Sequence, residues 1–253
     1  MKKSVTAVAI LLGLSSMSAI AAQDNAFQHE AGLNYLSNSE EFGDGIWKAD
    51  YRYYVAPVDQ KSSPYALNGF LAQSSNLGAY YSNFDDADRD SYGIDGTYVF
   101  ASKWFVGVNY DKHDYANFDF DTYGAEVGYY FNDSSSVSAF YKDGDEGVEE
   151  SYGVKVRSYI ALQSTAGVDL QANWTHSDSD SDDKINLGAD WYVNNSWSVG
   201  LGYTNTDDDD AFDVRTAYWL RISDTFSAKF ELIRVLDSDF DGVNIGLGVV
   251  GRF

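Results

Sequence analysis

From about residue 27 to Phe253 the chain alternates apolar and polar residues in segments of about ten, the two-residue period of a strand with one apolar face. In 197–203, Trp197, Val199, Leu201 and Tyr203 share one face, while Ser198, Gly200 and Gly202 share the other. In 184–193, Ile185, Leu187, Ala189, Trp191 and Val193 oppose Asn186, Gly188, Asp190 and Tyr192. Such segments predict fourteen strands, at 27–36, 45–56, 75–84, 91–100, 104–113, 121–131, 136–143, 151–162, 168–177, 184–194, 197–206, 212–223, 226–236 and 243–253. Twelve or sixteen stay open, because strand ends are the least defined part of such a pattern.

The connections alternate in kind. Brief ones (Asn194-Asn195-Ser196, Ser223-Asp224-Thr225) alternate with longer acidic ones, among them Asp143-Gly144-Asp145-Glu146, 178–183, Asp207 to Asp210 and Asp237 to Asp241. Short turns on one side, longer loops on the other and strands of this length describe a closed barrel crossing a membrane. The expected fold is therefore all-β, a transmembrane antiparallel up-and-down β-barrel of about fourteen strands. An even count places both termini at the short-turn end.

One segment interrupts the alternation. Residues 57–74 hold both prolines of the chain, Pro57 and Pro64, and proline is excluded from interior sheet positions. The segment is expected to connect two strands on the periplasmic side, with one helical turn at 65–71. A connection of this length is functional or irregular.

The N-terminus follows another rule. Lys2-Lys3, an apolar run from Val5 to Leu14 and the small residues Ala19-Ile20-Ala21-Ala22 have the order of a secretory signal peptide. Cleavage is expected before Ala22 or Gln23, with 1–22 as the signal peptide and 23–253 as one barrel domain. Cysteine is absent and aromatics make up 16% of the residues. A disulfide scaffold is thereby excluded, and the aromatics suit the girdles of a barrel. Trp47, Tyr92, Phe100, Trp104, Phe131, Trp174, Trp197 and Phe253, at strand ends, are the expected interface anchors. The net charge of −22 argues against nucleic acid, which requires a basic face.

If the apolar face of each strand meets lipid, the other face lines the interior. Lys48, Asp50, Arg52, Glu126, Lys155, Arg157, Asp169, Asp190, Asp213, Arg215, Arg221, Lys229 and Glu231 fall on it and are the expected pore-lining residues. So many charges demand either dense pairing or water, and small inward residues leave room for water. Several bases, with Arg252, lie on strands near the closure while Asp95, Glu126, Asp169 and Asp190 lie elsewhere. That distribution predicts a transverse field across the lumen, although Lys155 and Arg157 fall on the acidic side. Inward aromatics (Tyr54, Tyr80, Phe105, Tyr130, Phe140, Tyr159, Tyr192, Trp219) are candidates for a stacking track.

The last strand alternates Val243, Ile245, Leu247 and Val249 with Asn244, Gly246 and Gly248, and the chain ends on Phe253. It resembles the C-terminal signal, here Val249 and Phe253, that the barrel-assembly machinery of Gram-negative outer membranes reads. Tyr51-Arg52-Tyr53-Tyr54-Val55-Ala56-Pro57-Val58-Asp59, with Pro64 and Phe70-Leu71-Ala72-Gln73-Ser74-Ser75, is similar to the general porins of gammaproteobacteria. That resemblance implies an outer-membrane diffusion channel for small polar solutes or ions, with no catalytic residues. Two alternatives stand beside it: a channel selective for acidic oligosaccharides, and a closed structural or adhesin barrel. Expected partners are outer-membrane lipid and lipopolysaccharide, through divalent cations on the acidic loops. The oligomer is a monomer or a trimer.

Other chemistry finds little support. Three histidines (His29, His113, His176) and no cysteine leave no ordinary zinc set, so no metal and no cofactor are expected. Asp237-Ser238-Asp239-Phe240-Asp241-Gly242 copies half of a calcium loop, but Gly248 stands where the bidentate Glu belongs. His113-Asp114, and His176 beside Asp178 and Asp180, offer no accompanying nucleophile.

Overall fold

The strands pair in chain order, each antiparallel to the next, and the last pairs with the first, so the sheet closes into a barrel. The computed structural model describes residues 26–84, 89–145, 147–178, 182–207, 209–236 and 242–253. The expected signal peptide, and the half calcium loop apart from Gly242, lie outside the described residues. The fourteen strands are β1 (Ala26–Asn38), β2 (Ile46–Asp59), β3 (Asn76–Phe84), β4 (Arg89–Val99), β5 (Trp104–Tyr115), β6 (Asp119–Asn132), β7 (Ser135–Gly144), β8 (Ser151–Ala161), β9 (Gly167–Ser177), β10 (Asp182–Tyr192), β11 (Trp197–Asn205), β12 (Asp210–Arg221), β13 (Phe226–Leu236) and β14 (Asn244–Arg252).

Closure runs from Glu30↔Arg252 to Asn38↔Asn244. It continues past β14: the Phe253 carbonyl accepts the Gln28 and His29 N–H groups at 3.1 and 2.8 Å, and Phe253 N–H donates to His29 O at 3.0 Å. The Phe253 ring stacks on the His29 ring, 5.6 Å between centroids.

The barrel is inside-out. Large apolar side chains such as Leu201, Val108, Ile94 and Leu77 are exposed on the outer surface, whereas Asp169, Thr122 and Ser198 are buried. This inversion is what strands with lipid on one face and a polar interior require. Trp47, Tyr92, Phe100, Trp104, Phe131 and Trp197 are likewise exposed at strand ends.

Two expectations need correction. Pro57 lies within β2, which runs on to Asp59. It is tolerated because the ladder breaks there: pairing jumps from Phe27↔Val58 to His29↔Tyr53. The bulged backbone is satisfied by side chains, the Gln28 amide donating to the Tyr54 and Val55 carbonyls at 3.2 and 2.9 Å. Proline at a bulge gives up no ladder bond. The second correction concerns the acidic connections, which span only three to seven residues. The strands absorb the difference: β5 reaches Tyr115 and β6 starts at Asp119, so acidic residues expected in a loop sit on strand ends.

The outward assignment of β11 yields a test. Leu201→Arg places a charge on the lipid face at mid-strand and is expected to cost about 2–4 kcal/mol of folding into bilayers, the depth-dependent penalty of such sites. Urea titration of folding into lipid vesicles measures it; a cost near zero would mean that the face is wrongly assigned.

Candidate functional site

One cavity of about 480 Å³ is lined by residues of ten strands, among them Glu30, Arg52, Asn76, Phe105, Ser138, Arg157, Trp219 and Arg252. A space touching so much of the circumference is the barrel lumen, and it identifies the inward face. A second space, of about 580 Å³, lies against β8 to β12 and shares Lys155 and Arg157 with the first.

The inward charges lie along the wall. Arg215 on β12 crosses β11 to reach Asp190 on β10, Nε–Oδ1 2.8 Å and Nη2–Oδ2 3.0 Å, and also bonds Asp213 at 3.1 Å. It lies over glycines: a Cβ on Gly200 would sit 3.0 Å from its Nε, and one on Gly202 2.9 Å from its Nη1. Arg52 on β2 repeats the arrangement, crossing β3 at Gly78 to Asp95 on β4 at 2.7 and 2.9 Å. Tyr80 crosses Gly93 to donate to Asp111 at 2.7 Å. Glycine on the intervening strand makes the trough in which each side chain rests.

The remaining expected residues fall into the same scheme. Lys155 reaches Glu126 at 3.2 Å, Arg157 holds Asp169 at 2.9 Å and Lys229 meets Glu231 at 3.0 Å. Asp50 accepts from Asn34 at 2.9 Å, Lys48 lies 4.6 Å from the Tyr80 ring centroid and Arg221 bonds Asp224 at 3.3 Å. The transverse field is thereby corrected. Arg52, Lys155, Arg157, Arg215, Lys229 and Arg252 are each bonded to an acid close by on the wall, so charge alternates around the lumen instead of segregating. Desolvation explains this: a charge facing a narrow lumen is stabilised by a partner a few ångströms away.

The segment between β2 and β3, which carries the expected helical turn, folds into the lumen. A 3₁₀ turn (Tyr65–Leu67) leads into a one-turn helix, α1 (Asn68–Leu71). Ala66, Gly69 and Phe70 form part of the floor of the first cavity. Leu67 is buried against Tyr159 and Tyr192, and Phe70 sits 4.4 Å under the Arg157 guanidinium. Arg252 is the principal anchor: Nε donates to Glu30 at 2.7 Å, Nη1 to Asn68 Oδ1 at 2.8 Å and Nη2 to the Tyr65 carbonyl at 2.8 Å. Its flat face lies between Phe27 and Trp219, at 4.7 and 4.9 Å.

The same segment ties into three turns across the short-turn end. Tyr65 N–H donates to Asn195 O at 2.9 Å, the Gln60 amide to Asp224 O at 3.4 Å and the Gln73 amide to Asn132 O at 2.7 Å. Gln73 has φ 46°, a left-handed conformation that favours glycine, at the point where the chain leaves α1 for β3. Residues 60–75 thus form a plug strapped across one end of the barrel.

The inward aromatics bear on the plug as well as on the lumen. Tyr54, Phe105, Tyr159, Tyr192 and Trp219 do face inward but are buried; Tyr54, Tyr159 and Tyr192 pack directly on the plug segment. They form a socket for the plug, and Tyr54, Phe105 and Trp219 also line the first cavity beside Tyr130. Plug-forming residues could have been read from Leu67, Phe70 and Leu71, apolar side chains on a water-side connection that only the lumen can cover.

The histidines serve the wall. His113 Nδ1 meets Ser91 Oγ at 2.9 Å, while Asp114 faces the opposite side beside Lys112. His176 bonds Asp183 at 2.9 Å, and His29 bonds the Tyr51 hydroxyl at 2.6 Å. Among the described residues no cluster of three or more His, Cys, Asp or Glu converges as a metal site.

A model of the family described as "Putative general bacterial porin" matches residues 1–150. The chain belongs to this porin family. No curated protein matches it. Among solved structures, the porin is similar to the Acinetobacter baumannii outer membrane protein Omp33, with TM-score 0.68 and 18% identity, covering 91% of this chain and 100% of that one. A bacterial polysaccharide outer membrane secretin aligns with TM-score 0.50 and 13% identity, over 92% of this chain and 100% of that one. Both likenesses concern the fold, a closed barrel of the outer-membrane kind.

The glycine troughs of this porin can be tested singly. Gly202→Val drives a side chain into Arg215 and Asp213 and is expected to cost about 1–3 kcal/mol, as overpacking does. Gly96→Ala, whose Cβ would meet nothing closer than 3.5 Å, should change stability by less than about 0.5 kcal/mol. Urea unfolding in detergent compares them; equal effects would contradict the trough.

Proposed function

We propose that this porin is a passive diffusion channel for small polar solutes or ions, held closed at its periplasmic end by the plug 60–75. The observation that carries the reading is the pair of adjoining lumen spaces of about 580 and 480 Å³, walled by polar and charged side chains and floored by Ala66, Gly69 and Phe70. A structural or adhesin barrel has no need of such an interior; a barrel that is merely filled would carry side chains in place of the space. The plug is held by hydrogen bonds, cation–π contacts and two small apolar clusters, all reversible, so conduction requires its displacement. Catalysis is assigned to no residue. Ser91 is buried and its hydroxyl is engaged by His113, which leaves that pair a wall contact. Assembly through Val249 and Phe253, and contact of the acidic rim with lipopolysaccharide through divalent cations, belong to the same proposal.

Planar-bilayer recording tests it. The mature protein is expected to open rarely, whereas a variant with residues 60–73 replaced by a short Gly/Ser linker should give stable steps of several-fold larger mean current. Arg252→Ala removes the main anchor and should raise open probability without changing the fully open step. If the linker variant inserts as a folded barrel and passes no current, the channel reading fails and the closed structural barrel takes its place.

A further inference from the structure

Lys155 and Arg157 occupy successive inward positions of β8, and both line both lumen spaces. A solute passing from the upper space to the plug meets them. The Arg157 counter-ion is the most deeply buried among the inward ion pairs of the described residues. The Arg157 side chain is 31% exposed, whereas that of its partner Asp169 is 1% exposed; the carboxylate lies beneath the guanidinium, against the wall. Asp169 is also spent, accepting from Arg157 Nε and Nη2 at 3.1 and 2.9 Å and from the Gln171 amide at 2.7 Å. Arg157 Nη1 has no hydrogen bond among the described residues. Lys155 is 46% exposed, against 29% for Glu126, and gives that carboxylate a single contact of 3.2 Å.

Arg52 and Arg215 differ, because both terminal nitrogens of each are bonded to wall acceptors. Arg252 is spent on Glu30 and the plug. What the lumen presents at β8 is therefore the positive end of two ion pairs, with unused N–H donors. Charge-assisted hydrogen bonds from such donors are about twice as strong as neutral ones, and a low-dielectric wall strengthens them further.

We infer that Lys155 and Arg157 form a binding subsite for small carboxylates in the lumen, at the junction of its two spaces. The inference rests on the channel reading only in supposing that solutes enter the lumen. A carboxylate there would accept from Arg157 Nη1 and Lys155 Nζ without displacing Asp169. The same guanidinium bears on Phe70 of the plug at 4.4 Å, so the subsite lies against the element that must move.

Saturation-transfer NMR of the detergent-purified mature protein, with gluconate as probe and glucitol as its uncharged counterpart, measures binding apart from conduction. Gluconate should receive saturation and glucitol several-fold less. Lys155→Gln should weaken the gluconate signal severalfold. Because Arg157→Gln alone leaves Asp169 buried and unpaired, it is made together with Asp169→Asn, and this neutral pair should weaken the signal likewise. Lys103→Gln, on a turn at the barrel end, should leave it unchanged. Equal signals from gluconate and glucitol, or from all variants and the parent, would overturn the subsite. A barrel that binds gluconate but never conducts would overturn the channel reading alone, and one that conducts without binding would overturn the subsite alone.

Discussion

A backbone N–H or C=O left unpaired in hydrocarbon costs several kcal/mol, with no water to relieve it. Everything in this barrel follows from meeting that constraint with strands. Each of β1 to β14 needs two neighbours, so β14 must return to β1, and it does so down to the final residue, whose carbonyl takes two N–H groups of β1. Where the ladder breaks at the β1–β2 bulge, its free backbone groups are met by Gln28, Ser74 and the Ser75 carbonyl. Proline is admitted at that bulge because no bond is asked of it.

Closure creates an interior, and the interior sets the second condition. Charges there face a narrow space between low-dielectric walls, where an unpaired one is costly. The chain meets this by laying long side chains flat, from one strand across a glycine to a partner two strands away. Arg215 over Gly200 and Gly202 and Arg52 over Gly78 are the clearest cases. The arrangement satisfies the charges and keeps them out of the middle of the lumen. Glycine, which weakens a strand in isolation, is here what lets polar wall and free space coexist.

Much of this was legible in the sequence. Strict alternation in segments such as 197–203 fixes which residues meet lipid, because a slip of one position would reverse every side chain. The short helical turn at 65–71 also announced itself, between Pro64 and the polar run after Leu71. What could not be read was partnership. Leu67, Phe70 and Leu71 call for cover, yet nothing local to residues 60–75 names the main anchor, Arg252, some 180 positions away in the chain. The expected segregation of charge failed for a related reason: pairing depends on which strands neighbour one another and at what register. Asp190 and Arg215 are 25 residues apart yet share two hydrogen bonds.

The proposed channel needs a wet lumen that solutes reach from the acidic-loop end and that the plug stops at the other. The absence of native cysteine allows a direct measurement, labelling single-cysteine variants in intact cells with a membrane-impermeant maleimide. Thr204→Cys, on the wall above the plug, should react quickly, and Ser164→Cys, on a turn at the plugged end, should react severalfold more slowly. Equal rates at the two positions would show an open passage, and an unreactive Thr204→Cys would show that the lumen holds no accessible water; either result would contradict the account.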